Sequence, residues 1–257
     1  MRILLRLLNA AILLYLLAPI FVVMATAFGA SAYPLFPPEG LTLKWFHQFW
    51  STPELRDALR ISATLSATST AFATIIGTFS ALALVRYRLP GKTAISAVLL
   101  SPILFPAVVL ALALLIALQR VGLTQTFTGL VAAHTLLITP FVVRLVMASL
   151  AEFDPSLEEA AQNLGAGWWR TFFRITLPLI RPGILAGAVF AFIMSFDELV
   201  VTLLLAGPEL QTLPIRIFNY VQYSSDPTIS AISTCLIAAW LAIGIPVYTR
   251  FLSVRHS

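Results

Sequence analysis

The chain has 257 residues, 59% of them hydrophobic and 11% charged, with a mean hydropathy of +0.93. A soluble domain carries about a quarter charged residues and somewhat under half apolar ones, so this composition excludes an ordinary water-soluble fold and makes lipid the solvent. The formal charge of +5 sits in short segments between apolar runs, which reads as topology signal and not as a nucleic-acid surface, and the single cysteine, Cys235, excludes an internal disulfide and a cysteine metal cluster.

Six apolar runs follow one another and predict an all-α, polytopic membrane protein. The first covers about 8–28. Arg2 and Arg6 precede it, and Ala30-Ser31-Ala32 resembles a cleavage site. A run of about twenty residues is longer than a signal-peptide core of roughly 7–15, so an uncleaved first helix is expected. The second run spans 61–85, the third 94–118 and the fourth 127–150. The fifth begins after Pro182 and ends near Gly207-Pro208, and the sixth covers 229–251. Each is long enough to cross ~30 Å at about 1.5 Å per residue. Pro106, Pro140 and Pro246 fall inside runs three, four and six, where kinks are expected. Gly183 and Gly187, four apart, predict a close approach of helices.

Orientation follows from the basic residues. Of the sixteen, Arg2, Arg6, Arg86, Arg88, Lys92, Arg144, Arg170, Arg174, Arg181, Arg250 and Arg255 share one side. Lys44, Arg56, Arg60, Arg120 and Arg216 share the other. The richer side is expected to be cytoplasmic, with both termini on it. Residues 29–60 then form an external loop and 151–181 a cytoplasmic one, within a single transmembrane domain over 1–257. The external stretch Lys44-Trp45-Phe46-His47-Gln48-Phe49-Trp50 predicts aromatic anchoring in the headgroup layer, with His47 solvated.

The cytoplasmic loop has the most specific pattern. Asp154 suits an N-cap and Pro155 the first helical position. Glu158 and Glu159 place negative charge early in the helix, and Gly165 supplies a residue able to adopt positive φ and end it. A second short helix is expected over Trp168–Ile175, broken by Thr176-Leu177-Pro178 where the chain enters the fifth span. Its aromatics are placed to brace against the membrane-embedded helices.

Glu159-Ala160-Ala161, three residues, Gly165, nine residues and Ile175-Thr176-Leu177-Pro178 together resemble the EAA loop of ABC importer permeases. The resemblance implies the type I importer permease fold and a coupling helix that docks on a cytoplasmic ATPase. On that implication Glu158, Glu159, Ala160, Ala161, Gly165, Leu177 and Pro178 form the ATPase-coupling set. Glu159 would offer a carboxylate to the ATPase, Ala160 and Ala161 would permit close approach, and Gly165 would set the angle of the turn. Phe36-Pro37-Pro38, Leu41-Thr42-Leu43-Lys44-Trp45-Phe46, Arg181-Pro182-Gly183, Ser195-Phe196-Asp197-Glu198-Leu199-Val200-Val201-Thr202 and Leu213-Pro214-Ile215-Arg216-Ile217 are similar to the spermidine/putrescine branch, and to the second of its two permease subunits. Glu198 departs from the second Asp expected there. The resemblance implies as partners a homologous permease in a heterodimer, two ATPase subunits and an external or periplasmic solute-binding protein. It also implies a bacterial inner-membrane location, and no cofactor in this chain, with ATP and magnesium held by the ATPase. An aminophosphonate or an amino-acid derivative stays open as cargo.

Asp197 and Glu198 are expected near the middle of the fifth span. An ionised carboxylate at bilayer centre costs roughly 2.5–3.5 kcal/mol, so the pair should face protein, water or a cation. As neighbours on one helix they would diverge by ~100°, one toward a transport path and one toward a neighbouring helix. A purely structural role for the pair stays open. His134 reads as packed against a carbonyl partner more readily than as a ligand or proton site, and Arg144 as a snorkelling cation. Gly91-Lys92-Thr93 looks like the end of a phosphate-binding loop, but Arg86 stands where its first glycine belongs. No catalytic motif or metal cluster is found. A secondary transporter, which should show an internal repeat, and a membrane scaffold or enzyme are the competing classes.

Overall fold

The computed structural model describes the backbone of residues 2–223 and 226–254 and, apart from Ile3, the side chains of those residues through Ile245. No strand occurs among the described residues. The helices are α1 (Arg2–Ala27), α2 (Lys44–Ser51), α3 (Pro53–Arg86), α4 (Lys92–Leu100), α5 (Ala107–Arg120), α6 (Phe127–Ala151) and α7 (Ser156–Asn163), followed by α8 (Trp168–Thr171), α9 (Leu177–Phe196), α10 (Val200–Leu205), α11 (Leu213–Tyr223) and α12 (Thr228–Val254). In hydrocarbon every backbone N–H and C=O must be satisfied within the segment, and a helix does this for Leu- and Ala-rich runs.

Among the described residues Leu4–Ala27, Pro53–Arg86, Phe127–Ala151, Trp168–Phe196 and Thr228–Ile245 are each long and apolar enough to cross a membrane. Lys92–Ile103 and Ala107–Arg120 pass the same test only together, bent by 105° at the break between them, as a broken span or a re-entrant loop. The third expected span is thus a broken pair and not one kinked helix. Pro106 has no N–H to donate and disfavours helical backbone at Phe105, and Pro102 already lies in a 3-10 turn at Ser101–Ile103. Helix α6, by contrast, runs unbroken through the buried Pro140. Helix α12 runs through Pro246 to Val254, and the side chains of Pro246 and Arg250, with the whole of Arg255, lie outside the described residues.

The fifth span also differs from expectation. Its helix begins at Trp168, passes Pro178 and Pro182, and stops at Phe196. Thr176-Leu177-Pro178 does not break it, because a wide π turn at Phe172–Thr176 intervenes, in which Leu177 N–H donates to Phe172 O five residues back. Widening the turn accommodates the donor and the space that a proline removes.

The chain divides into two compact units. The first joins Met1–Asp57 with Arg216–Ser257. There α1 and α2 both pack against α12. Trp45 and Phe49, one helical turn apart on α2, are buried, and Trp45 Nε1–H donates to Gly29 O at 2.8 Å. These two aromatics therefore pack against protein, with Ala27 and Ala231 around Trp45, instead of lying in headgroups as expected. Trp50 keeps half of its surface exposed.

The second unit is Ala58–Ile215. Val142, Val143 and Val146 of α6 meet Ala73 and Ala81 of α3 and Ile180 of α9 in its core. Glycines let these helices close in. A Cβ added at Gly183 would lie 2.6 Å from Ser149 Cβ and 2.8 Å from Leu145 O. One at Gly77 would meet Val142 Cβ at 2.8 Å, and one at Gly187 would meet Val142 Cα at 3.2 Å. The close approach expected from Gly183 and Gly187 is therefore present, with α6 as the partner.

Candidate coupling loop and acidic helix break

Helix α7 starts one residue later than expected, at Ser156, with Asp154 Oδ1 accepting Ser156 N–H at 3.0 Å. That backbone bond, with a further one from the Ser156 side chain, holds the exposed Asp154 carboxyl below its ordinary range. Gly165 ends the helix at φ +85°. Ala166 N–H donates to Ala161 O at 3.0 Å and Gly165 N–H to Gln162 O at 2.9 Å, the paired bonds of a left-handed helix stop.

Glu158 is held within the chain. Its Oε1 lies 3.1 Å from Arg86 Nη2, at the end of α3, and also accepts the Thr176 hydroxyl from the π turn. The Arg86 guanidinium sits 4.4 Å from the centre of the Phe153 ring. Phe172 stacks on Phe79 of α3 at 6.3 Å and on Trp168 at 5.5 Å, which braces the loop against a membrane helix as expected. Glu159 and Ala160 are exposed, Ala161 and Leu177 half-buried, and Pro178 exposed. The structure thus separates the two glutamates: Glu158 ties the loop together and Glu159 faces outward. Arg86 was not foreseen as a partner. Its charge at the end of a span was visible in sequence, but pairing across 72 positions was not.

Asp197 and Glu198 are not consecutive residues of one helix. Helix α9 ends at Phe196 and α10 begins at Val200, so the pair occupies the gap. Asp197 is exposed. Glu198 turns back, and its Oε1 accepts Val201 N–H at 2.9 Å, a carboxylate capping the start of the next helix. A cavity of about 170 Å³ adjoins the gap, with Glu198, Ser195 and His134 as its polar lining. His134 is packed, as expected, and meets two hydroxyls, Ser195 Oγ at 2.8 Å and Thr202 Oγ1 at 3.0 Å, with the Ser195 backbone beside them. Arg144 is exposed on α6.

A helical membrane protein whose crossings are joined by a capped helix–turn–helix loop has the architecture of a type I importer permease. The solved structure of a bacterial ABC transporter that imports alginate shares it, with a TM-score of 0.74 over 98% of this chain and 95% of that one, at 15% identity. Residues 73–252 match the family described as binding-protein-dependent transport system inner membrane component, and the chain belongs to that family. It is 34% identical to the spermidine/putrescine transport system permease protein PotC of Escherichia coli K12, over 91% of this chain and 88% of the relative. It is 31% identical to the putrescine transport system permease protein PotI of the same organism, over 90% and 84%. The chain is therefore an inner-membrane permease subunit of an ABC importer, which sets aside the secondary-transporter and scaffold readings.

Proposed function

We propose that the chain forms one half of a polyamine importer and moves spermidine- or putrescine-like cations with energy from a separate ATPase. The observation that carries this reading is the acidic pair at the interrupted helix. Asp197 and Glu198 stand where a membrane helix stops, with Glu198 lining a cavity there, in a chain similar to permeases named for polyamines. Carboxylates there would offset part of the dehydration of ammonium groups.

The same reading places both termini and 151–181 in the cytoplasm, residues 29–60 outside, and 1–257 in a single permease domain. The exposed Glu159 and Ala160 of α7 meet the ATPase. Ala161, Gly165, Leu177 and Pro178 shape the turn and root of the lever, and Glu158 stiffens it through Arg86 and Thr176. The 29-residue helix Trp168–Phe196 runs from this loop to the acidic gap, so rotation at one end reaches the other. ATP and magnesium belong to two partner ATPase subunits. A homologous permease completes the channel and an external binding protein delivers cargo.

The test is uptake by the assembled complex in liposomes. ATP-dependent accumulation of labelled spermidine or putrescine that weakens in Asp197→Asn supports the reading. An ATP-hydrolysing complex that accumulates an aminophosphonate or an amino-acid derivative, and no polyamine, overturns it.

A further inference from the structure

The gap between α9 and α10 is bridged from a third helix. His134 lies in α6 with 1% of its surface exposed. Its Nδ1 is 2.8 Å from Ser195 Oγ in the last turn of α9, and its Nε2 is 3.0 Å from Thr202 Oγ1 in the first turn of α10. Hydrogen positions on the ring follow from the network. The Thr202 hydroxyl donates its one hydrogen to Glu198 O at 2.8 Å, so toward the ring its oxygen accepts. On that assignment Nε2 bears the ring hydrogen and Nδ1 accepts from the Ser195 hydroxyl, and in either tautomer each ring nitrogen keeps one hydroxyl partner. The bonds run in one direction, from Ser195 through His134 and Thr202 to the backbone of Glu198. The Glu198 carboxylate in turn caps Val201 N–H.

We propose that His134 is a positioning residue that clamps the two helix ends and so fixes how Asp197 and Glu198 are presented to cargo. Two helix ends joined by residues 197–199 retain backbone freedom that the local bonds of Glu198 to α10 do not remove, since these tie the gap to one helix end alone. An imidazole has a donor edge and an acceptor edge, and it grips both ends at once. A phenyl ring fills similar volume and grips neither. A glutamine amide, with one donor group and one acceptor, reproduces both bonds. The inference rests on the cargo reading of the acidic pair, but the clamp itself does not.

The experiment uses the assembled transporter in lipid nanodiscs and liposomes, with His134→Phe, His134→Gln and Thr202→Val. Hydrogen exchange is read on peptides spanning 197–205, and spermidine uptake over a range of concentrations. In His134→Phe, exchange at the start of α10 should quicken about tenfold and the half-saturating spermidine concentration rise about tenfold, with the maximal rate changed less than about threefold. His134→Gln should return both toward wild type. A role in stability alone would lower the yield or the maximal rate without moving half-saturation. If His134→Phe does not assemble, Thr202→Val, which removes the link to α10 together with the Thr202–Glu198 bond, is compared with Ser195→Ala, which removes only the link to α9, and quickened exchange in both decides in the same way. Unchanged exchange overturns the clamp. Faster exchange with an unchanged half-saturating concentration overturns the positioning role. A wild-type complex that takes up no spermidine overturns the cargo reading and with it the positioning role, while the exchange data still decide the clamp.

Discussion

Arg86 and Glu158 lie 3.1 Å apart, each with about a fifth of its side chain exposed, and that pair joins the end of α3 to α7. Because Glu158 also takes the Thr176 hydroxyl, one carboxylate connects a membrane helix, the loop helix and the π turn that begins the next crossing. Glu158→Ala should lower stability by about 1–3 kcal/mol, since it strands a largely buried guanidinium, and Glu158→Gln by less, since its amide oxygen still accepts from Arg86 and Thr176. A double-mutant cycle with Arg86→Met, followed by thermal unfolding in detergent, isolates the pair. The expected coupling is positive, and additive single effects would show that the contact contributes nothing.

Close packing of α6 and α9 depends on Gly183. Gly183→Ala forces a methyl toward the backbone oxygen of Leu145, which cannot rotate away. A loss of about 1–3 kcal/mol is expected, with Gly187→Ala milder because its nearest atom is 3.2 Å away. Gly167→Ala meets nothing within 4 Å and should leave the melting temperature near wild type. Equal melting temperatures for all three variants would contradict the packing account.

Gly165 needs its left-handed backbone and has open space where a side chain would go. Gly165→Ala should therefore cost about 1 kcal/mol through φ alone, and Gly165→Asn less, since Asn tolerates that region better. Proteolysis of the 151–181 loop reads this locally, with faster nicking in Ala than in Asn.

Asp226, between α11 and α12, gives a pH-dependent term. Burial is the largest single influence on it and raises its pKa. Hydrogen bonds from Thr228 and Tyr220 and the charge of Lys44 together outweigh that, so the folded pKa lies below the ordinary value. A carboxyl depressed by folding stabilises the fold above its unfolded pKa of about 3.9, and the contribution fades as pH falls through the folded value. Asp226→Asn should thus be less stable than wild type at neutral pH and converge with it in acid. A gap that widens toward acid pH would contradict the sign.

Sequence made the crossings legible because apolar runs of membrane length have few other uses. It made the loop legible because Asp154 and Gly165 act on their own neighbours. It failed where a local feature had two outcomes. Pro106 ends a helix and Pro140 does not, although both sit in apolar runs. Pro178 looked like a stop, and a π turn that no residue type announces absorbs it. The gap at Asp197 and Glu198 was misplaced onto a continuous helix, although a glutamate three residues before a backbone N–H that it can cap is a readable local sign. An aromatic such as Trp45 at a helix entrance suits headgroups and protein alike, and its bond to Gly29 decides. His134 with Ser195 and Thr202, and Arg86 with Glu158, are long-range pairings that spacing cannot choose.

On the proposed function, force enters through α7 and travels along the helix from Trp168 to the acidic gap. Spermidine uptake and ATP hydrolysis measured together on liposomes holding the assembled complex test it, with Glu159→Ala combined with Gly165→Ala. Uptake per ATP hydrolysed should fall by about tenfold or more in a complex that still forms. An unchanged ratio at wild-type uptake would contradict it.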